Sequence, residues 1–142
     1  MKGISHLAIG VSDMERALPF YRDLLGLSVM LDTEEQVGQG KRRAVYMRWG
    51  NDGGFLVLSQ TLNREPSGKP LRLHQVGMHH FAFLVDDLRE RLEKLAAAGV
   101  KILVPPYEAS ATAYGEKGGA KVLTCLFEDP DGTILQFDQR SR

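Results

Sequence analysis

Two stretches of the chain carry nearly the same pattern of polar and apolar positions. The first is SHLAIGVSDM at residues 5–14, and the second is HHFAFLVDDL at residues 79–88. In both, a histidine opens a short apolar run that is typical of a strand, and acidic residues then mark the start of a helix. Aligned in this way, His6 falls on His80, an offset of 80 − 6 = 74 residues. The pattern therefore predicts a duplicated unit whose two copies pack about a pseudo-twofold axis.

The same pattern, followed along the chain, predicts in each half a strand, a helix and three further strands. We expect the helices to be capped by Ser12 and Asp86, whose side chains can bond the free amides of the first turn. Pro19 lies past the first turn of the first helix, where its missing N–H should produce a kink. Pro105 and Pro106 are expected to end the sixth strand. The predicted strands are residues 4–11, 27–33, 42–49, 55–59, 78–85, 100–104, 121–127 and 133–137.

The predicted fold class is α+β, built from two βαβββ modules. Residues 60–75 contain proline, glycine and mixed charge with weak periodicity, which is typical of a linker. We therefore place the first module at residues 1–62, the linker at 63–76 and the second module at 77–142. The chain of 142 residues is short enough for both modules to form one structural domain.

Composition and charge exclude several classes of function. The 18 basic and 18 acidic residues balance, so the chain has no basic surplus with which to bind nucleic acid. No apolar run approaches the ~20 residues that a membrane span requires. The single cysteine, Cys125, excludes an internal disulfide framework and suits a reducing compartment. Because Met1 is followed almost directly by a strand, we expect no signal peptide and a cytoplasmic protein.

Five motifs along the chain are HLA at 6–8, LGL at 25–27, HFAF at 80–83, GV at 99–100 and FEDPDGTILQ at 127–136. Together they resemble motifs of the vicinal oxygen chelate superfamily, which includes glyoxalase I, extradiol dioxygenases and bleomycin resistance proteins. The resemblance covers nearly the whole chain. It implies a glyoxalase-like fold, in which two curved mixed sheets surround a cavity, and it implies a homodimer that binds a small-molecule substrate.

The resemblance also implies a metal site. In metal-dependent members the histidine of each first strand is a ligand, and here these histidines are His6 and His80. A further ligand, usually a carboxylate, lies four residues past the glycine of the Asp-Pro-Asp-Gly turn, where this chain has Gln136. Imidazole and amide donors suit a divalent zinc, iron, nickel or manganese ion. The neutral amide is a weaker donor than a carboxylate, so we expect weaker metal binding than in those members.

The first module lacks the matching ligand. Aligning Gly54 with Gly132 places Leu58 opposite Gln136, or Ser59 if the register slips by one residue. Neither Leu58 nor Gln136 can act as the metal-proximal carboxylate base that glyoxalase-type proton transfer requires. The chain is therefore not expected to be a standard glyoxalase I, and its general acid and base are not identified.

Two main hypotheses of function remain open. The first is a metal-dependent isomerase, lyase or dioxygenase that acts on a small oxygen-rich organic molecule. The second is a metal-free protein that binds a small molecule or drug, like the bleomycin resistance proteins, in a cavity lined by Trp49, Phe83 or Tyr46. A regulatory module that has lost the chemistry is a third interpretation. The predicted substrate-binding residues are Tyr46, Trp49 and Tyr114. Strand alternation predicts that His79 faces away from His80.

Overall fold

The computed structural model of the chain describes residues 3–50, 54–117 and 119–140. The contacts divide the chain into two compact units, Met1–Gly68 and Lys69–Arg142. We refer to them as unit 1 and unit 2. The boundary lies inside the stretch 63–76 that was predicted as a linker. No helix in the described ranges is both long and apolar enough to cross a membrane.

The described residues of unit 1 form a four-stranded mixed sheet and a helical segment. The strand order across the sheet is β1-β4-β3-β2. β1 runs parallel to β4, and the other neighbouring strands are antiparallel. The elements are β1 (His6–Gly10), α1 (Met14–Pro19), a π-helical turn (Phe20–Leu24), β2 (Ser28–Val37), β3 (Gly40–Arg48) and β4 (Phe55–Thr61).

Unit 2 repeats this architecture. Its strand order is β5-β8-β7-β6, with β5 parallel to β8 and the remaining pairs antiparallel. The predicted α+β fold of two βαβββ modules is therefore confirmed. The elements are β5 (His80–Leu84), α2 (Leu88–Ala97), β6 (Ile102–Ser110), a 3-10 turn (Ala111–Tyr114), β7 (Lys121–Glu128) and β8 (Ile134–Arg140).

The two helices begin in the same way, one residue later than predicted. Asp13 caps α1 by accepting a hydrogen bond from the Glu15 amide at 3.0 Å, and Asp87 caps α2 through the Glu90 amide at 3.0 Å. The predicted capping by Ser12 and Asp86 is therefore wrong. Asp13 and Asp87 are the caps because their extended backbones turn each carboxylate toward the free amides of the first helical turn.

In each unit a glutamine, on β4 in unit 1 and on β8 in unit 2, holds the helix against the sheet. In unit 1 the backbone amide of Met14 donates to Oε1 of Gln60 at 2.8 Å. In unit 2 the amide of Leu88 donates to Oε1 of Gln139, also at 2.8 Å. These bonds show which face of each sheet meets the helix, because successive side chains of a strand point to opposite faces. Every second residue counted from Gln60 along β4, or from Gln139 along β8, therefore faces the helix. The buried side chains on the helix-facing sides include Leu56, Leu58, Leu135 and Phe137.

Proline positions account for two irregular segments. Pro19 ends α1, and the Leu25 amide then donates to the Phe20 carbonyl, five residues back, so a π-helical turn follows the proline. Pro105 and Pro106 do not end β6, which continues to Ser110, so that prediction is wrong. β6 is an edge strand with two register shifts, and an edge strand tolerates the loss of a donor N–H.

Candidate functional site

One face of the unit 2 sheet carries the predicted ligands His80 and Gln136. His80 pairs with Ile134 and Ala82 pairs with Gln136 across the parallel β5–β8 ladder. His80 and Gln136 are therefore diagonal neighbours on one face, opposite the face that meets α2. Asp138, two residues after Gln136, lies on the same face. We call the surface formed by His80, Gln136 and Asp138 the His80 face.

Gln136 is held by a closed group of three hydrogen-bonded side chains. Its Nε2 donates to Oδ1 of Asp138 at 2.8 Å and to the Tyr114 hydroxyl at 3.2 Å. The Tyr114 hydroxyl in turn donates to the same Asp138 oxygen at 3.0 Å. A carboxylate oxygen only accepts, so the amide must turn its NH2 group toward Asp138. As a result Oε1 of Gln136 points away from the carboxylate and makes no hydrogen bond among the described residues.

These polar groups are withdrawn from solvent. Gln136 is 8% exposed and Asp138 is 7% exposed. Burial is the largest cause of the raised pKa of Tyr114, and its bond to Asp138 acts in the same direction. Thr124 pairs with Asp138 across β7 and β8. Its buried Oγ1 lies close enough to the Tyr114 hydroxyl to lower that pKa, yet it forms no regular hydrogen bond within the described ranges.

The ring of His80 is packed against its sequence neighbour. The Nδ1 atoms of His79 and His80 are 2.7 Å apart and the ring centroids are 4.7 Å apart, so one Nδ1 donates and the other accepts. The prediction that His79 faces away from His80 is wrong, because His79 precedes the first residue of β5 and strand alternation does not extend to it. Burial lowers the pKa of His80, and the charge of His79 lowers it further. Nε2 of His80 makes no hydrogen bond in the described part of the chain.

The equivalent face of unit 1 is aromatic. His6 pairs with Phe55 across β1 and β4, and their rings stack at 5.1 Å with 12° between the planes. Tyr46 follows on β3, with its ring 5.9 Å from that of Phe55. We call the surface formed by His6, Phe55 and Tyr46 the His6 face. Nδ1 of His6 bonds Oγ of Ser5 at 2.9 Å, so Nε2 is the nitrogen available for other contacts.

A charged pair lies at the outer end of the His6 face. The Tyr46 hydroxyl donates to Glu35 at 2.5 Å, and the Arg42 guanidinium donates to the other Glu35 oxygen at 2.7 Å. The bond from Tyr46, followed by that from Arg42, lowers the pKa of Glu35. The same bond to Glu35 is the largest cause of the raised pKa of Tyr46.

The residue of unit 1 that matches Gln136 is Val57. Ala8 and Ala82 are equivalent in the repeat, because 82 − 8 = 74, and they pair with Val57 and Gln136 respectively. Val57 is 3% exposed and has no atom that can bind a metal. Unit 1 therefore offers no metal ligand at the position that matches Gln136. The sequence alignment also placed an apolar residue there, but that residue was Leu58.

The predicted alternatives Leu58 and Ser59 are both wrong because the two turns differ in length. Gly54 is followed directly by the first residue of β4, whereas Thr133 stands between Gly132 and the first residue of β8. Aligning the glycines therefore shifts the register by one. Leu58 lies on the helix-facing side of the sheet, and Ser59 matches the position of Asp138.

The predicted substrate-binding residues lie in three different surroundings. Tyr46 lies on the His6 face, and Tyr114 contacts Gln136 and Asp138 on the His80 face. Trp49 is half-buried in a bend one residue past β3. Phe83, proposed to line a metal-free cavity, alternates with His80 and lies on the helix-facing side of its sheet. Sequence reasoning missed Asp138, although its spacing of two from Gln136 on a strand indicates a shared face.

The donor types on the two faces, imidazole and amide, are ones that suit a first-row divalent metal. Within the described ranges, no three His, Cys, Asp or Glu side chains cluster closely enough to hold an ion. The candidate donor atoms on unit 2 are Nε2 of His80 and the amide oxygen Oε1 of Gln136. On unit 1 the candidate donor atom is Nε2 of His6. In both histidines Nδ1 is engaged by a neighbouring side chain, an outer bond that orients a ligating ring.

Comparison with known proteins identifies the family. The profile of the Glyoxalase/Bleomycin resistance protein/Dioxygenase superfamily matches residues 3–137, and the chain therefore belongs to this superfamily. The chain is 26% identical over 134 residues to a lactoylglutathione lyase of Haemophilus influenzae, and the match covers 94% of this chain and 90% of that protein.

Two further relatives extend the comparison. The chain is 26% identical over 135 residues to a probable chloroplastic lactoylglutathione lyase of Arabidopsis thaliana, and it spans only 35% of that protein's length. Among solved structures, a glyoxalase family protein of Bacillus cereus superposes with a TM-score of 0.81 over 100% of this chain and 96% of that one, at 14% identity. The structural likeness shows the shared fold.

Proposed function

We propose that the protein is a divalent-metal-dependent enzyme that acts on a small oxygen-rich organic molecule. Its metal ligands are His6, His80 and Gln136, with one histidine from each unit, taken from one chain or from two copies in a homodimer. The observation that carries this proposal is the orientation of Gln136. Its NH2 group is bound by Asp138 and Tyr114, so the oxygen that a metal requires is the atom left available.

The three ligands are all neutral. A bound zinc, iron, nickel or manganese ion would therefore keep its full charge and act as a Lewis acid on two neighbouring substrate oxygens. The same neutrality weakens retention of the ion relative to a site with a carboxylate ligand. The chain itself contributes ring orientation at His80, through His79, and amide orientation at Gln136.

The reaction class proposed is that of a lyase or isomerase, with dioxygenase chemistry as the alternative if the metal is iron. Relatives named lactoylglutathione lyase support the first class. The position that would supply a ligating carboxylate base holds Gln136 in unit 2 and Val57 in unit 1. We therefore propose a substrate other than that of a standard glyoxalase I.

The His6 face supplies the surface for the organic part of the substrate. Phe55 and Tyr46 are half-buried and present adjoining rings, which suits contact with an apolar or planar group. Trp49 and Tyr114 are proposed as additional substrate contacts. The balanced charge argues for a small-molecule partner and against nucleic acid, and we propose a cytoplasmic location.

Metal analysis of protein purified without a histidine tag tests the proposal. The wild type should hold a stoichiometric divalent ion after loading and desalting, and His6→Ala and His80→Ala should each lose it. His74→Ala is the matched control, because His74 is exposed in the segment before β5. Near-zero metal in the wild type, or equal metal in all four proteins, would contradict the proposal.

A metal-free binding protein is the second candidate, and the His6 face favours it. His6 is stacked on Phe55, and the adjoining β4 position is the apolar Val57, so this face could hold an aromatic ligand without an ion. Binding of aromatic ligands that is unchanged by a chelator, and is lost in Phe55→Ala, would support this function.

A further inference from the structure

We infer that Asp138 and Tyr114 are positioning residues that orient Gln136 and strengthen its oxygen as a metal ligand. This inference rests on the proposed function, because it assigns a role behind the ligand that the function requires. It concerns this chain's replacement of a ligating carboxylate by an amide. A carboxylate ligand would carry the negative charge itself, whereas here the charged group is Asp138, which is hydrogen-bonded to the neutral ligand Gln136.

The geometry fixes the amide in one orientation. Gln136 has two amide hydrogens, and Nε2 makes two hydrogen bonds, one to Asp138 and one to the Tyr114 hydroxyl. Turning the amide over would place Oε1 against the Asp138 carboxylate, where two acceptors repel. Because the Tyr114 hydroxyl also donates to Asp138, the three groups restrain one another. The amide oxygen is therefore directed before any ion binds.

The Asp138 carboxylate also makes the amide oxygen a better donor. A hydrogen bond from an amide N–H to an ionised carboxylate draws electron density through the amide toward its oxygen, and such charge-assisted bonds are stronger than neutral ones. Gln136 and Asp138 are both at least nine-tenths buried, where a weakly screening surrounding strengthens the effect. The pair thus restores part of the donor strength that a neutral ligand lacks.

The fold itself does not require this group. The same strand positions in unit 1 hold Val57 and Ser59 in place of Gln136 and Asp138, and the unit 1 sheet forms with the same topology. A structural need common to the duplicated unit would appear in both copies. The polar group therefore belongs to the site of unit 2.

Calorimetric titration of the metal-free full chain with Zn²⁺, and separately with Ni²⁺, tests the inference. Asp138→Asn keeps the shape and removes the charge, and it should weaken binding by about 10- to 100-fold, the usual effect of losing a group behind a ligand. Tyr114→Phe should weaken binding by a smaller factor. Gln139→Ala is the control, because Gln139 lies on the same strand but bonds the helix on the other face.

A double variant that combines Gln136→Glu with Asp138→Asn, called the exchanged pair, tests the inference even if Asp138→Asn alone folds poorly. Gln136→Glu alone places two carboxylates together and should lower the melting temperature of the metal-free protein. Adding Asp138→Asn to Gln136→Glu should restore that temperature and bind Zn²⁺ more tightly than the wild type. In the metal-free wild type, the side-chain NH2 resonances of Gln136 should shift on Asp138→Asn and not on Gln139→Ala.

The outcomes separate the two proposals. If the wild type binds metal and Asp138→Asn binds it equally well, the positioning role is overturned while the proposed function stands. The positioning role is likewise overturned if Gln136→Glu is no less stable than the exchanged pair. If the wild type binds neither Zn²⁺ nor Ni²⁺, the proposed function fails, and the inference falls with it.

Discussion

The two units share one topology but place their polar groups on different strands. In unit 2 the His80 face is polar on the strand next to the histidine, where β8 carries Gln136 and Asp138. In unit 1 the matching strand carries Val57, and the polar groups Glu35 and Arg42 lie on β2 and β3, farther from the histidine strand β1. A duplicated fold can therefore keep its frame while its two faces take different roles.

What the units keep in common is the attachment of helix to sheet. Asp13 and Asp87 cap the helices at positions 74 residues apart, since 87 − 13 = 74, and Gln60 and Gln139 bond the first helical amide in the same way. The helix-facing sides are thus kept alike in the two copies by packing and capping. The opposite sides are free to differ, and this is where the candidate ligands lie.

The largest expected effect comes from giving unit 1 the residue of unit 2. Val57→Gln buries an amide where Ser59 replaces Asp138 at the matching position, and where the hydroxyl of Tyr46, the cross-strand partner of Val57, already donates to Glu35. An unpaired buried polar group costs about 1–3 kcal/mol. Val57→Met is the control, because methionine has the length of glutamine without its polar atoms. Urea unfolding should show Val57→Gln less stable than Val57→Met by about that amount. Equal stability would mean that the His6 face accommodates polar groups as readily as the His80 face.

A smaller and matched effect is expected on the helix-facing sides. Gln60→Ala and Gln139→Ala each remove one hydrogen bond to a helix start, so each should lower the free energy of unfolding by about 1 kcal/mol. Denaturant titration of both variants under identical conditions provides the measurement. Losses that differ several-fold between the two would show that the shared attachment is not energetically equivalent.

The smallest effect concerns the acid dependence of the unit 1 face. The pKa of Glu35 is lowered in the folded chain, first by the bond from Tyr46 and then by that from Arg42. A lowered folded pKa means that these bonds stabilise the fold above the unfolded pKa, and that this stabilisation is lost as pH falls through the folded pKa. Glu35→Gln should therefore lower the melting temperature slightly at neutral pH, and the difference should vanish once the pH falls below the folded pKa of Glu35. A difference that persists in acid would rule out this origin.

Much of the fold could be predicted from the sequence because the signals are local. The repeated histidine strands and the alternation of Arg42 to Arg48 placed the elements, and β3 has Arg42 and Tyr46 on one face as alternation requires. The errors arose where tertiary contacts decide. β6 continues through Pro105 and Pro106 because an edge strand has backbone N–H groups that need no partner strand. The sequence alone does not show that β6 lies at the edge of its sheet.

The candidate site was predicted less completely. His6, His80 and Gln136 followed from motifs, but the β4 position was displaced from Val57 to Leu58 because turn length depends on the folded turn. The packing of His79 against His80 and the bonds around Asp138 depend on side-chain geometry, which sequence spacing does not determine.

The proposed function requires that His6 and His80 both ligate the metal ion. Histidine-selective nuclear magnetic resonance during titration with Zn²⁺ tests it most directly, with exposed His74 as the internal reference. We expect Nε2 of His6 and of His80 to shift together, with one midpoint and saturation at one ion per site, while His74 does not respond. Separate midpoints for His6 and His80, or a response from one of them alone, would contradict it.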